Sequence, residues 1–125
     1  MGDTSPVVLL VDDEPMIRRL VLSALKPLGC TVFEAGNGAE AIRIFKEHSE
    51  RIKLVLTDIV MPGIHGDELA AQLLELRPDL PVVFVSAYCS QIQPALRHCV
   101  CLEKPFRVED VRGIVADFLG AVSQG

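Results

Sequence analysis

Short apolar runs rich in β-branched residues alternate along this chain with segments whose apolar residues recur at helical spacing. That alternation constrains the fold more than any other feature. The runs predict strands over Val7–Val11, Thr31–Ala35, Leu54–Asp58, Val82–Ser86 and Val100–Glu103. The first, third and fourth are apolar nearly throughout, as parallel strands covered on both faces must be. Between and after them, helical spacing is kept by Ile17, Leu20, Val21, Ala24 and Leu28, by Ala41, Ile42 and Phe45, by Leu69, Ala70, Leu73 and Leu76, and by Val108, Val111, Val115 and Phe118. A β-α order repeated five times, joined by right-handed crossovers, makes an α/β protein with a doubly wound, five-stranded parallel sheet sandwich.

Local signals agree with these bounds. Asp13 is expected to cap a first helix in which Pro15 takes an early position, where a missing N–H costs nothing. Pro27 and Gly29 would end that helix. Gly36-Asn37-Gly38 forms a turn before the second, and Pro78 and Pro81 bracket the entry to the fourth strand. At 125 residues, half of them apolar, the chain is one domain spanning 1–125, with an ordered core over roughly residues 6–121. No linker, repeat or low-complexity stretch divides it.

Composition excludes several functions. A formal charge of -5, with no Lys/Arg cluster, argues against a nucleic-acid partner. The N-terminus carries acid rather than a basic stretch, and the apolar run behind it is too short for a signal peptide or a membrane span. A cytoplasmic domain without membrane contact is expected. Cys30, Cys89, Cys99 and Cys101 could be read as a disulfide pair or a metal cluster, but there is no C-x-x-C and no secretory segment, so reduced thiols buried as small hydrophobes are the expectation.

The chemistry gathers at the strand ends. Asp12 and Asp13 follow the first strand, Asp58 ends the third, Ser86 ends the fourth and Lys104 follows the fifth. In open α/β sheets the carboxyl ends of the strands form the functional crevice. Three carboxylates at one edge repel one another unless a cation lies between them, which is the composition of a hard-metal site for a magnesium-sized ion. A hydroxyl and an ammonium beside them are the further donors that an incoming phosphoryl group needs. Each residue has a bland alternative. Asp12 or Asp13 could simply cap a helix, Ser86 could satisfy its own backbone, and Lys104 could be a turn lysine. Thr57 is expected in the core, and His65 and His98, with no partner at ligand spacing, in solvent.

Four motifs in order, Val11-Asp12-Asp13-Glu14-Pro15, Leu56-Thr57-Asp58-Ile59-Val60-Met61-Pro62-Gly63 with Gly66, Ser86-Ala87, and Lys104-Pro105-Phe106, resemble the receiver domain of two-component response regulators. The resemblance covers essentially the whole chain and implies the (βα)5, flavodoxin-like architecture. It implies that Asp58 is the phosphoacceptor, taking a phosphoryl group from a phosphohistidine of a sensor histidine kinase or its phosphotransfer domain. It implies Mg²⁺ held by Asp13, one Asp58 oxygen and the backbone carbonyl of Val60, with Asp12 acting through a water. Lys104 would pair with a phosphoryl oxygen, Ser86 would hydrogen-bond the attached group, and the Lys104-Pro105 bond would be cis. Receivers are signalling modules rather than enzymes, with self-catalysed phosphotransfer and dephosphorylation only.

Two departures stand out. Three residues before the lysine the family usually carries an aromatic ring that rotates on activation, and here that position is Cys101. Only Ala87 through Cys99 join the fourth and fifth strands, with Pro94 in the middle, near the minimum for a helical crossover. One or two helical turns are expected there, and activation would alter loop order around Ala87–His98 rather than flip a ring. Both a stand-alone regulator and the receiver of a hybrid sensor kinase remain open, these departures leaning towards the hybrid. The alternative is a phosphatase of the haloacid-dehalogenase type, which also forms a phospho-aspartate. That family places Asp-x-Asp after the first strand, where this chain has Asp12-Asp13-Glu14, and it needs a substrate-covering cap that no segment here encodes.

Overall fold

The computed structural model describes residues 5–124. Five parallel strands, β1 (Val7–Val11), β2 (Thr31–Ala35), β3 (Ile52–Thr57), β4 (Val82–Ser86) and β5 (Val100–Glu103), form one sheet in the order β2-β1-β3-β4-β5. Four helices cover it: α1 (Pro15–Leu25), α2 (Gly38–His48), α3 (Gly66–Leu76) and α4 (Val108–Gln124). The strand order reverses between β1 and β3. The ends of these two strands, which carry Asp12 and Asp58, therefore open the crevice of the fold.

Alternation along the strands explains why the runs are apolar throughout. Val7, Leu9, Val11, Val55 and Phe84 point to one face and pack with Phe45 of α2 and Leu69 and Leu73 of α3. Val8, Leu10, Leu54, Leu56, Val83 and Val85 point to the other and pack with Val21 and Leu25 of α1 and Val111 and Val115 of α4. Every strand residue of β1 and β4 is buried. Each fully buried aliphatic side chain contributes about 1.5–3 kcal/mol of transfer free energy, so the two layers together hold the sheet.

Several local expectations are met. A single 3₁₀ turn at Lys26–Leu28, carrying Pro27, follows α1 and ends at Gly29 with φ 70°. Asn37 caps α2, its side chain accepting the Glu40 N–H at 2.8 Å. Thr57 is fully buried. The Lys104-Pro105 bond is cis.

Three expectations are corrected. Asp13 does not cap α1: the capping position is the extended Glu14, without a side-chain cap, and Pro15 follows it. The carboxylate of Asp12 does the local bonding, accepting the Glu14 N–H at 2.9 Å in a turn two residues long, which leaves Asp13 exposed. The crossover from β4 to β5 contains no α-helix, only two 3₁₀ turns, Cys89–Gln91 and Pro94–Leu96. Pro94 lacks the N–H that a continuous helix would use, and thirteen residues leave no room for one elsewhere. Buried Ile92 and Leu96 anchor this segment, and Gln93 ties it to α3 through its N–H to Asp67 Oδ2 at 3.0 Å and its amide to the Asp67 carbonyl at 3.1 Å.

The third correction concerns the cysteines. Cys89 and Cys101 form a disulfide, while Cys30 and Cys99 are free and half-buried rather than enclosed. The parallel register sets Cys101 opposite Phe84 on β4, and the tight turn after Ser86 folds Cys89 back towards β5. Their Cα atoms come to 5.9 Å, within bridging range. That proximity is a product of strand pairing, so cysteine spacing could not reveal it.

Gly66 fixes the loop after β3. Its N–H donates to the Ile59 carbonyl at 2.6 Å, and a Cβ at this position would overlap the carbonyl oxygen of Asp58. Because the clashing atom is backbone, it cannot swing away. Gly66→Ala should therefore lower stability by about 1–3 kcal/mol, the usual cost of forced overpacking. Urea unfolding checks this, and an unchanged midpoint would show that the α3 entrance yields freely.

Candidate functional site

The carboxyl edge of the sheet collects the charged residues. Asp12 lies just past β1 and Asp58 just past β3, which ends one residue before the expected strand end at Asp58, and both are buried, with 3% and 7% of their side chains exposed. The Asp58 N–H continues the ladder to the Val11 carbonyl at 3.0 Å, which fixes the two acids relative to each other. Lys104, just past β5 and 14% exposed, reaches between them. Its Nζ stands 3.2 Å from Asp12 Oδ2 and 3.1 Å from Asp58 Oδ2. Asp58 Oδ1 accepts the Ile59 N–H at 2.7 Å. Both carboxylate oxygens of Asp58 are thus engaged, one by a backbone donor and one by an ammonium.

Ser86 is fully buried at the end of β4. Its hydroxyl oxygen accepts the Tyr88 N–H at 3.1 Å, and its carbonyl accepts the Lys104 N–H at 3.0 Å. The bland reading of Ser86 is partly realised, since it does bond its own turn. Because it does so as an acceptor, its O–H proton is not consumed by that bond. Val60 lies two residues beyond Asp58 in the loop to α3, half-buried. His65 and His98 are exposed, and neither belongs to the acidic cluster.

Asp12, Asp13, Glu14 and Asp58 each present a carboxylate oxygen, and these atoms lie within 4.8 Å of one another. Four hard oxygen donors with mixed burial suit a magnesium-sized ion, which keeps several waters and asks few ligands of the protein. Two residues were not singled out from the sequence. Glu14 joins the cluster, with Oε1 3.6 Å from Lys104 Nζ, although its side chain is 61% exposed and that pair is screened by solvent. Its adjacency to Asp12-Asp13 was the available signal. Arg18 braces the site from α1, donating from Nη1 to the Asp12 carbonyl at 2.6 Å and from Nε to Glu34 at 3.1 Å. No pattern in the chain announces that contact.

Burial dominates the electrostatics of Asp12. It pushes the carboxyl above its ordinary value, although the Glu14 N–H and the Lys104 ammonium pull the other way and Asp58 adds repulsion. Burial also disfavours the Lys104 ammonium, but the hydrogen bond to Asp58 and the charges of Asp12 and Asp58 outweigh it and hold the group above the usual lysine range. The ammonium therefore stays charged, and the site is short of positive charge rather than of negative.

A carboxyl whose folded pKa lies above its unfolded one binds protons more tightly in the native state. Stability then falls as pH rises from the unfolded value through the folded one. Asp12→Asn keeps an acceptor for the Glu14 N–H and removes the charge. Without divalent ions, the variant should gain stability relative to the parent as pH rises above about 4. Urea titrations across that range test it, and parallel pH profiles would refute the burial penalty on Asp12.

Comparison with known proteins adds a second line. The profile of the family described as the response regulator receiver domain matches residues 8–116. The chain is 37% identical over 108 residues to the response regulator receiver protein CpdR of Brucella abortus, covering 83% of this chain and 88% of that protein. It is 35% identical over 119 residues to the sensor kinase CckA of the same organism, covering 92% of this chain but only 13% of the kinase. Among solved structures, the response regulator TrrA of Thermotoga maritima, in complex with Mg²⁺ and BeF, superposes with a TM-score of 0.80 at 30% identity, over 90% of this chain and 98% of that one.

Proposed function

The chain belongs to the response regulator receiver domain family of two-component signalling, and we propose that Asp58 is its phosphoacceptor, charged by the phosphohistidine of a sensor histidine kinase or its phosphotransfer domain. The observation that carries this is the salt-bridged pair of Asp58 and Lys104 at the mouth of the central strand, with Asp12 completing the triad. Asp58 shares burial and contact with the ammonium with Asp12, but Asp58 is the one that follows the central strand of the sheet.

A carboxylate is a modest nucleophile. Phosphoryl transfer passes through a loose transition state, so positioning and charge stabilisation do most of the work. The Ile59 N–H holds Asp58 Oδ1 and thereby orients the carboxylate. Asp58 Oδ2 forms the new P–O bond as the P–N bond to the donor histidine breaks. Lys104, released from Oδ2, then pairs with an oxygen of the phosphoryl group. Ser86 donates its O–H to the same group while its oxygen keeps the Tyr88 N–H. Asp13, an Asp58 oxygen and the Val60 carbonyl would hold Mg²⁺, with Asp12 acting through a water. Bound there, the ion would neutralise the crowded carboxylates and the charge that builds on the phosphoryl oxygens.

The same groups govern loss of the phosphoryl group to water, so the domain carries its own slow dephosphorylation and is not an enzyme acting on other substrates. Half-exposed Tyr88 and Val60 flank the approach of that water. The setting fits a cytoplasmic domain. Among the described residues no helix is long and apolar enough to cross a membrane. The solved complex of the histidine kinase ThkA with TrrA gives the kind of partner to expect.

Intact mass after treatment with acetyl phosphate and Mg²⁺ should show one added phosphoryl group, and Asp58→Asn should show none. Undiminished labelling of that variant would sink the assignment. Lys104→Met should slow labelling by about 10²-fold, the usual loss when a charge-stabilising donor is removed. Mg²⁺ should raise the melting temperature of the parent, whereas Asp13→Ala should lose most of that response. An equal rise in both would count against Asp13 as a ligand.

A further inference from the structure

The disulfide joins two segments that adjoin Ser86 and Lys104 in the chain. Cys89 lies three residues after Ser86, and Cys101 lies on β5 three residues before Lys104. The bond closes the chain over a sequence separation of 12, around a segment with no α-helix. Apart from it, that segment is held mainly by two buried side chains, Ile92 and Leu96, and by the Gln93–Asp67 contacts. Ile92 and Leu96 belong to one core layer and Cys101 packs against it, whereas Cys89 belongs to neither layer.

We propose that Cys89 and Cys101 form a reversible thiol–disulfide modification site whose redox state sets the order of the 88–100 segment, and through it the freedom of the turn that carries Ser86. The last clause rests on the receiver reading given above; the redox site itself does not. Access supports it. Cys89 and Cys101 are both half-buried, and Tyr88, Ser90 and Val100 beside them are exposed. Cys30 and Cys99 compete poorly, because burial pushes their thiols up and keeps them protonated at neutral pH. In a reducing compartment a bond of this kind is conditional, and its persistence depends on the thiol pool.

The exchange balances in two steps. A thiolate of a Cys-x-x-Cys oxidoreductase attacks one sulfur, the S–S bond breaks, and the departing sulfur takes a proton. The second thiol of the reductant then resolves the mixed disulfide. Two electrons pass to Cys89 and Cys101, and the reductant ends as its own disulfide. Oxidation by a small disulfide such as oxidised glutathione runs the other way and releases two equivalents of thiol.

Position gives the site its consequence. Where the family carries a rotating aromatic ring, this chain has half of a covalent tie between β5 and the turn after Ser86. The turn is otherwise held by the Tyr88 N–H on the Ser86 hydroxyl at 3.1 Å and by the Gln91 N–H on the Tyr88 carbonyl at 2.9 Å. With the tie cut, these local bonds must hold it without help. Reduction therefore loosens the crossover and leaves the sheet intact.

The test compares the full chain oxidised by glutathione disulfide with the same chain reduced by dithiothreitol. Alkylation in denaturant should find two thiols in the oxidised form and four in the reduced one, with Cys89 and Cys101 joined in the peptide map. Amide exchange across 88–100 should rise roughly tenfold or more on reduction, given the closure entropy that a bridge of this length removes. Amides of β1 and β3 should not change. Cys89→Ser should behave as the reduced form under both conditions, and Cys99→Ala should titrate like the parent. Four thiols after oxidation, a Cys89–Cys99 linkage, or unchanged exchange across 88–100 would each overturn the proposal. Acetyl phosphate labelling is read separately. If Asp58 fails to label while the redox-dependent exchange holds, the receiver reading falls and the redox site stands. If Asp58 labels and that exchange is missing, the redox site falls and the receiver reading stands.

Discussion

The ammonium of Lys104, held at 3.1 Å from Asp58 and 3.2 Å from Asp12, is the contact on which the rest of the site depends. Two nearly buried carboxylates at neighbouring strand ends would repel each other in a medium that screens poorly, and a single cation between them offsets this. Removing one partner from such a group leaves a buried charge uncompensated. The site is consequently both a structural junction and a reservoir of unbalanced negative charge. A divalent ion would offset that imbalance, whereas an anionic phosphoryl group would add to it.

What aims these three side chains is the parallel sheet. Every strand but β2 delivers a candidate site residue at its carboxyl end, and the ladder bond from the Asp58 N–H to the Val11 carbonyl locks β1 and β3 in register. The apolar layers on both faces leave the strands no other registration, since slipping one residue would exchange the two cores. Gly66 then lets α3 start against the Asp58 backbone. Precision at the site is thus inherited from packing well away from it.

The side of the domain bearing β5 is built differently. β5 is an edge strand whose residues are half-buried or exposed, and the crossover leading to it is two 3₁₀ turns rather than a helix. Such a segment has few apolar anchors and belongs to the low-stability part of a structure. A covalent bridge to β5 compensates in part. The departure at Cys101 and the short crossover, which look unrelated along the chain, meet in that bridge.

Much of this was legible in the sequence. Near-continuous apolar runs gave the parallel strands, and helical spacing gave four helices, because burial on one or both faces imposes a period that side chains must obey. Asp12, Asp13, Asp58, Ser86 and Lys104 were recognisable because each terminates a run, and strand ends in this architecture converge. Three things were not legible. The role of capping α1 fell to neither Asp13 nor any other side chain, since Asp12 turned inward to serve Glu14 and Lys104. Arg18 reached the Asp12 carbonyl across a gap that only the packing of α1 defines. Cys89 met Cys101 because the register of β4 on β5 brought them to 5.9 Å. The sequence by itself determined which elements form and which residues stand at their ends, through local periodicity. Tertiary structure alone decided which of those residues touch, because contacts between distant segments depend on strand order and register, which no local pattern encodes.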